Sequence, residues 1–165
     1  MEKNHSHIQF DPDLLAHHDP LSKIAEAYKI ARTNVEFAML DKKLKTIAVT
    51  SAQQSEGKTV TIANLAISYA QAGRRILLVD ADLRRPSIHR RFGLSNRQGL
   101  TTAIVRGTQP QAFVQDSKIP NLSILTSGPI PPNPAEMLMS ETLWRLIDEL
   151  KPHYDMIFLD ASPVG

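Results

Sequence analysis

TSAQQSEGKTVTIANLA, residues 50–66, sets the reading of the whole chain. Before it lies LKTIAVTS (44–51), short and rich in β-branched residues, which predicts a strand. From Lys58 onward, KTVTIANLAISYAQAG (58–73) predicts a helix closed by Gly73. A loop between a strand and a helix start aims backbone N–H groups at one point, and the helix dipole adds positive potential there. Such a place suits phosphate. Gly57 lets the backbone approach closely, Lys58 can reach the β and γ phosphates, and the Thr59 hydroxyl can bind Mg²⁺. The full pattern G-x-x-x-x-G-K-[ST] has a first glycine where this chain has Ala52, so a chance triplet at a helix start competes with a phosphate site.

Working outward, RRILLVDAD (74–82) is nearly all apolar until it ends in Asp80 and Asp82, as strands covered on both faces are. Carboxylates one residue apart on a strand project to the same side. Near a magnesium-bound triphosphate, one can hold the metal or its water while the other positions or deprotonates an attacking hydroxyl. The plainer reading is a polar strand end with a capping Asp. YDMIFLD (154–160) delivers Asp160 from a further core strand, where it can bind Mg²⁺ through water. Each piece is weak alone. Together, in the order phosphate loop, acidic pair, acidic strand end, they argue for a site that hydrolyses nucleotide or transfers phosphoryl groups.

NLSILTSG (121–128) predicts another strand, GLTTAIVRG (99–107) a short helix and NPAEMLMSETLWRLIDELKPH (133–153) one or two helices. Strands alternating with helices predict an α/β fold, a mainly parallel sheet flanked by helices, with ligands at the carboxyl ends of the strands. Residues 1–18, polar and rich in His and Asp, read as a mobile arm, and 19–165 as the domain. The spacing of His5, His7, His17 and His18 fits no known metal-ligand set, so they read as a solvated tail. Asp19 and Pro20 make a helix start. In that helix Ile24, Ala27, Tyr28, Ala31, Val35 and Ala38 form an apolar face, and Glu26, Lys29 and Arg32 a charged row.

Composition excludes several classes. The chain has 165 residues, 42% hydrophobic and 22% charged, which suits one globular domain. A net charge of +2 is too mild to argue for nucleic acid. With no cysteine there are no disulfides or thiolate metal sites. No run is long and apolar enough to span a bilayer, and the start lacks a signal layout, so the expectation is a cytoplasmic protein. RRPSIHRRF (84–92) reads as a solvated basic loop, with an acidic partner or anionic lipid as the alternative. The chain stops at Gly165, directly after an apolar run, which reads as a domain cut short.

From Leu21 onward the chain resembles the bacterial tyrosine kinases of capsular and exopolysaccharide synthesis, P-loop proteins unrelated to eukaryotic protein kinases. The resemblance rests on EAYKIARTNVEF, VTSAQQSEGKT, ILLVDADLRRP, GLTTAIVRG, LTSGPIPPNPAEML and YDMIFLDASPV, with SGPIPPNPAEML the most family-specific. It implies ATP contacts at Ser55, Glu56, Gly57, Lys58, Thr59 and Val60. It implies Mg²⁺ held by Thr59 and Asp82 with Asp160 supporting, and catalysis by Lys58, Asp80 and Asp82, Asp80 serving as base toward a tyrosine hydroxyl. It further implies autophosphorylation, assembly of copies in a ring through Glu26, Lys29 and Arg32, and a separate transmembrane activator that brings the kinase to the inner face of the membrane. Lys29 stands where relatives carry arginine and loses the planar fork. Ser55 replaces a loop glycine, and Asp-Ala-Ser-Pro stands where the family pattern reads Asp-Thr-Pro-Pro. Tyr28, Tyr69 and Tyr154 sit at apolar positions and read as packing rather than phosphoacceptors.

Two alternatives stay open. Partition ATPases of the Min/Par type share the sheet, Lys58 and the acidic strand ends, but carry an early loop lysine that SAQQSEGKT lacks. A truncated, non-catalytic regulatory paralogue is the other.

Overall fold

The computed structural model describes residues 9–53 and 57–162. Its strands are β1 (Thr46–Val49), β2 (Ile76–Ala81), β3 (Gln115–Asp116), β4 (Leu122–Leu125) and β5 (Met156–Ala161), in the sheet order β1-β5-β2-β4-β3. β1, β5, β2 and β4 run parallel, and the short edge strand β3 is antiparallel to β4. The α-helices are α1 (Leu15–His18), α2 (Lys23–Ala38), α3 (Lys58–Gln71), α4 (Ile88–Arg91), α5 (Leu100–Arg106), α6 (Pro134–Leu138) and α7 (Glu141–Leu150). The mainly parallel α/β sheet expected from the alternation is present.

β2 explains the layering. All six of its residues are buried, and their side chains alternate between two cores. Ile76 and Leu78 join Leu14, Ile62, Ala66, Tyr69 and Phe158 on the α1–α3 side. Leu77, Val79 and Ala81 join Leu100, Leu143, Leu146 and Leu150 on the α5–α7 side. α3 is buried at every position from Ile62 to Ala70 because sheet and helices cover it from both sides. By the same alternation Asp80 and Asp160, paired in register, lie on the α3 side. α5 approaches the end of β4 so closely that a Cβ on Gly99 would meet the Thr126 carbonyl oxygen at 2.1 Å. That contact is the physical content of the two glycines in GLTTAIVRG and LTSG, because Gly128 faces Gly99 across it.

Five expectations change. α2 starts three residues later than the Asp19-Pro20 signal, because Asp19 closes α1 and Ser22 caps α2, its hydroxyl accepting the Ala25 N–H at 3.1 Å. Its inner side is the buried Ala25 with the half-buried Tyr28, Ala31 and Val35, while Ile24 is 51% exposed and Ala27 and Ala38 lie outside. Arg32 does not continue a solvated row. Its Nη1 donates to the Ser68 carbonyl at 2.7 Å and tethers α2 to α3. Residues 9–18 are packed rather than a free arm. Leu14 is fully buried, and the buried Asn64 side chain takes the Ala16 N–H at 2.9 Å and donates to the Asp13 carbonyl at 3.0 Å. An amide buried on α3 needs those partners, and the segment supplies them. Residues 1–8, with His5 and His7, lie outside the described residues. Lastly, RRPSIHRRF is anchored, since Ile88 and Phe92 are fully buried while Arg84, Arg85 and Arg90 stay exposed.

Candidate functional site

Gly57 caps α3 with φ +78° and ψ 14°, a left-handed conformation that favours glycine. Among the described residues no side chain caps this helix start. The start of a helix leaves its first N–H groups without intrahelical partners, a setting that favours an anion. Lys58 and Thr59 follow at once, and both turn toward β5. Lys58 Nζ donates to Asp160 Oδ1, and the Thr59 hydroxyl donates to Asp160 Oδ2 at 2.8 Å. Lys58 Nζ also lies 3.7 Å from Asp82 Oδ2. The ends of three separate elements, α3, β5 and β2, thus converge on one ammonium group.

The charges of this cluster are largely buried. The Lys58 side chain is 7% exposed and that of Asp160 fully buried. Burial pushes the Asp160 pKa upward, against the opposing pull of the Lys58 hydrogen bond. Asp80 is fully buried as well. Its Oδ2 accepts the N–H groups of Ser87 and Ile88, both at 3.0 Å, and its Oδ1 accepts that of Asp82 at 3.2 Å. Burial, with the nearby Asp160 charge adding to it, pushes the Asp80 pKa up to about 7 despite those N–H donors. Asp82 is the carboxylate nearer the opening, with Oδ1 accepting the Arg85 N–H at 3.1 Å and the Ser162 hydroxyl at 3.0 Å.

The donor set suits a hard cation. Thr59, Asp82 and Asp160 offer only oxygen. Among the described residues no group of three or more His, Cys, Asp or Glu forms a metal cage. A hydroxyl and two carboxylates leave further positions for water and phosphate oxygens, which is how Mg²⁺ is held at nucleotide sites.

A family profile described as an AAA domain matches residues 44–164. Tyrosine-protein kinase YwqD of Bacillus subtilis is 44% identical over 152 residues, spanning 92% of this chain and 64% of its own length. CapB of Staphylococcus aureus is 36% identical, spanning 92% of this chain and 67% of its own. The chain belongs to the bacterial tyrosine-protein kinase family. The solved structures agree. The chimerical protein CapA2B2 superposes with a TM-score of 0.88 at 39% identity, over 96% of this chain and 70% of that one. The kinase domain of the Escherichia coli tyrosine kinase ETK also gives 0.88, at 31% identity, over 96% of this chain and 62% of that one. The septum site-determining protein MinD of Pyrococcus horikoshii, complexed with Mg-ADP, is more distant at 0.63 and 25%, over 73% of this chain and 49% of that one. The chain therefore spans just under two thirds of the length of the Bacillus relative.

Of the residues named from the sequence, Gly57, Lys58, Thr59, Asp82 and Asp160 are brought together. Val60 lies in the first turn of α3, where its carbonyl accepts from Asn64 at 2.9 Å. Ser55 and Glu56 lie outside the described residues. Asp80, expected as the base, is buried, and its carboxylate accepts three backbone N–H groups that tie it to the segment from Asp82 to α4. Tyr69 and Tyr154 are buried and Tyr28 half-buried, as packing residues are, and burial pushes the Tyr69 pKa up to about 12.

Sequence reasoning missed Thr50 and Ser162. The Thr50 hydroxyl donates to the Ser162 carbonyl at 2.8 Å, and Ser162 reaches Asp82. Nothing in local spacing signals a hydroxyl that bonds a partner on another strand. The only mark was the serine in Asp-Ala-Ser-Pro, a departure with no evident meaning until the strands are side by side.

Proposed function

We propose that this chain carries the catalytic core of an ATP-dependent protein-tyrosine kinase that autophosphorylates and regulates capsular or exopolysaccharide synthesis and export. The observation that carries this reading is the convergence of Lys58, Thr59, Asp82 and Asp160 at the N-terminus of α3. ATP would lie with its phosphates on the loop through Ser55, Glu56, Gly57 and Val60. Lys58 would offer its charge to the β and γ phosphates rather than to Asp160. Thr59, Asp82 and Asp160 would hold Mg²⁺, which supplies charge neutralisation on the transferred group. Asp82, the more open of the β2 carboxylates, is the better placed to face an incoming tyrosine, and Asp80 fixes the backbone that carries it.

Two assembly partners belong to the proposal: further copies of the chain in a ring, and a transmembrane activator that draws the kinase to the inner face of the membrane. Support comes from α2, which leaves Ile24, Ile30 and Phe37 51%, 56% and 67% exposed. Glu26 and Lys29 pair at 3.4 Å on this helix and face outward, whereas Arg32 is engaged with Ser68. Among the described residues no helix is long and apolar enough to cross a membrane.

The test is phosphotyrosine formation on a tyrosine-rich peptide, with the activator present, in the parent chain and in Lys58→Met and Asp82→Ala. The expected result is labelling in the parent and none in either variant. Nucleotide hydrolysis without any tyrosine labelling would favour the partition-ATPase reading, which the MinD likeness supports at the level of fold. Absence of nucleotide binding would favour a non-catalytic regulatory subunit.

A further inference from the structure

We propose that Ser162 is a positioning residue for Asp82 and selects which Asp82 oxygen faces the metal-bound nucleotide. The inference rests on the nucleotide-site reading above. Ser162 directly follows β5 and is half-buried at the mouth of the site. Its hydroxyl donates to Asp82 Oδ1 at 3.0 Å. The Arg85 N–H donates to the same oxygen at 3.1 Å. Oδ2 is left on the Lys58 side, 3.7 Å from Nζ. The terminal torsion of an aspartate is broad and two-fold, so the two oxygens exchange freely unless something distinguishes them. Two donors on one oxygen make that distinction and set the plane of the carboxylate.

The serine is itself held. Its carbonyl accepts the Thr50 hydroxyl at 2.8 Å, and Thr50 opens the loop that leads to Gly57. A chain of hydrogen bonds therefore runs from the residue after β1, through the residue after β5, to the carboxylate after β2. β1 and β2 both flank β5 in the sheet, so the chain links the phosphate loop to the acidic strand end across all three strands. Mg²⁺ demands near-octahedral geometry at about 2.0–2.1 Å, so it is sensitive to the tilt of a ligating carboxylate. Partners that orient a metal ligand commonly contribute roughly 10–100-fold to metal affinity. A residue that only stabilised the strand end would change folding and leave the metal dependence of nucleotide binding untouched.

The experiment is calorimetric titration of the full chain with ADP, once with Mg²⁺ and once with EDTA, for the parent, Ser162→Ala and Ser162→Thr. Melting temperature without nucleotide is recorded alongside. The expected result is that Ser162→Ala loses roughly 10-fold of the Mg²⁺-dependent gain in affinity, while its affinity in EDTA stays within about two-fold of the parent. Ser162→Thr, which keeps the hydroxyl, retains most of the gain. The proposal is overturned if Ser162→Ala keeps the parental gain, if it weakens binding equally with and without Mg²⁺, or if Ser162→Thr behaves like Ser162→Ala. Failure of the parent itself to bind Mg²⁺–ADP is a distinct result, which sinks the nucleotide-site reading and this inference with it.

Discussion

β2 and β5 lie side by side, and each end of the pair closes with an ion pair. At the amino end Arg75 meets Asp155 at 3.1 Å, with side chains 59% and 35% exposed. At the carboxyl end Lys58 meets Asp160, 7% and 0% exposed. The chemistry is alike and the physics opposite. Asp155 is held below the usual carboxylate range, chiefly by its hydrogen bonds from Arg75. Asp160 is pushed above it by burial, although its lysine hydrogen-bonds directly to it. An exposed pair forms at little cost and contributes little. A buried pair carries a desolvation penalty that its attraction only partly offsets. A fold that needed only to fasten two strands would use the first kind. Here the buried pair stands at a helix start that no described side chain caps.

Breaking each end in turn sharpens the contrast. Lys58→Met should lower phosphoryl transfer by at least about 100-fold, the scale of a lost charge-stabilising donor, whereas Arg75→Met should leave the rate within about two-fold. Next in size is Asp80→Ala, which leaves the N–H groups of Asp82, Ser87 and Ile88 without their acceptor. A loss of about 3 kcal/mol in urea unfolding is expected, since buried unsatisfied groups cost about 1–3 kcal/mol each. Asp155→Asn, by comparison, should cost less than about 1 kcal/mol.

The two ends should also respond oppositely to pH in metal-free buffer. Asp80 holds its proton up to about pH 7 in the folded chain against an ordinary 3.8. Across that window the folded state binds more protons, so stability from this end falls as pH rises and levels off above about 7. Asp155 has a lowered folded value, so its contribution is present above the ordinary carboxylate range and is lost as pH falls through the folded value. Urea unfolding in EDTA across the acid-to-neutral range checks both signs. Asp80→Asn should flatten the neutral-side decline and Asp155→Asn the smaller acid-side one.

The difference between the ends also explains what the sequence could reveal. The carboxyl end was legible because phosphate chemistry constrains residue types: a glycine that must take a left-handed turn, a lysine and a hydroxyl after it, and acids where apolar strands stop. The sheet was legible because ILLV and MIFL are covered on both faces and so nearly uniform. The inner face of α2 was legible only in part, Tyr28, Ala31 and Val35 but not Ile24, Ala27 and Ala38, and spacing could not show that the long Arg32 side chain turns onto Ser68. Residues 9–18 looked free because Leu14 and Ala16 are too few to show a period, and their burial depends on Asn64, far away in sequence. For Asp80, spacing gives the side its carboxylate faces but not the loop that covers it, whose Ser87 and Ile88 N–H groups donate to it. β3 is two residues long and exists only through pairing with β4.

The central claim is that the Lys58–Asp160 end is a nucleotide site and the Arg75–Asp155 end only a fastening. Calorimetric titration of Mg²⁺–ADP into the parent chain, Lys58→Met and Arg75→Met tests it most directly. The account predicts binding in the parent and in Arg75→Met, and binding weakened beyond about 100-fold in Lys58→Met. Equal affinity in all three, or a loss in Arg75→Met matching that in Lys58→Met, would contradict it.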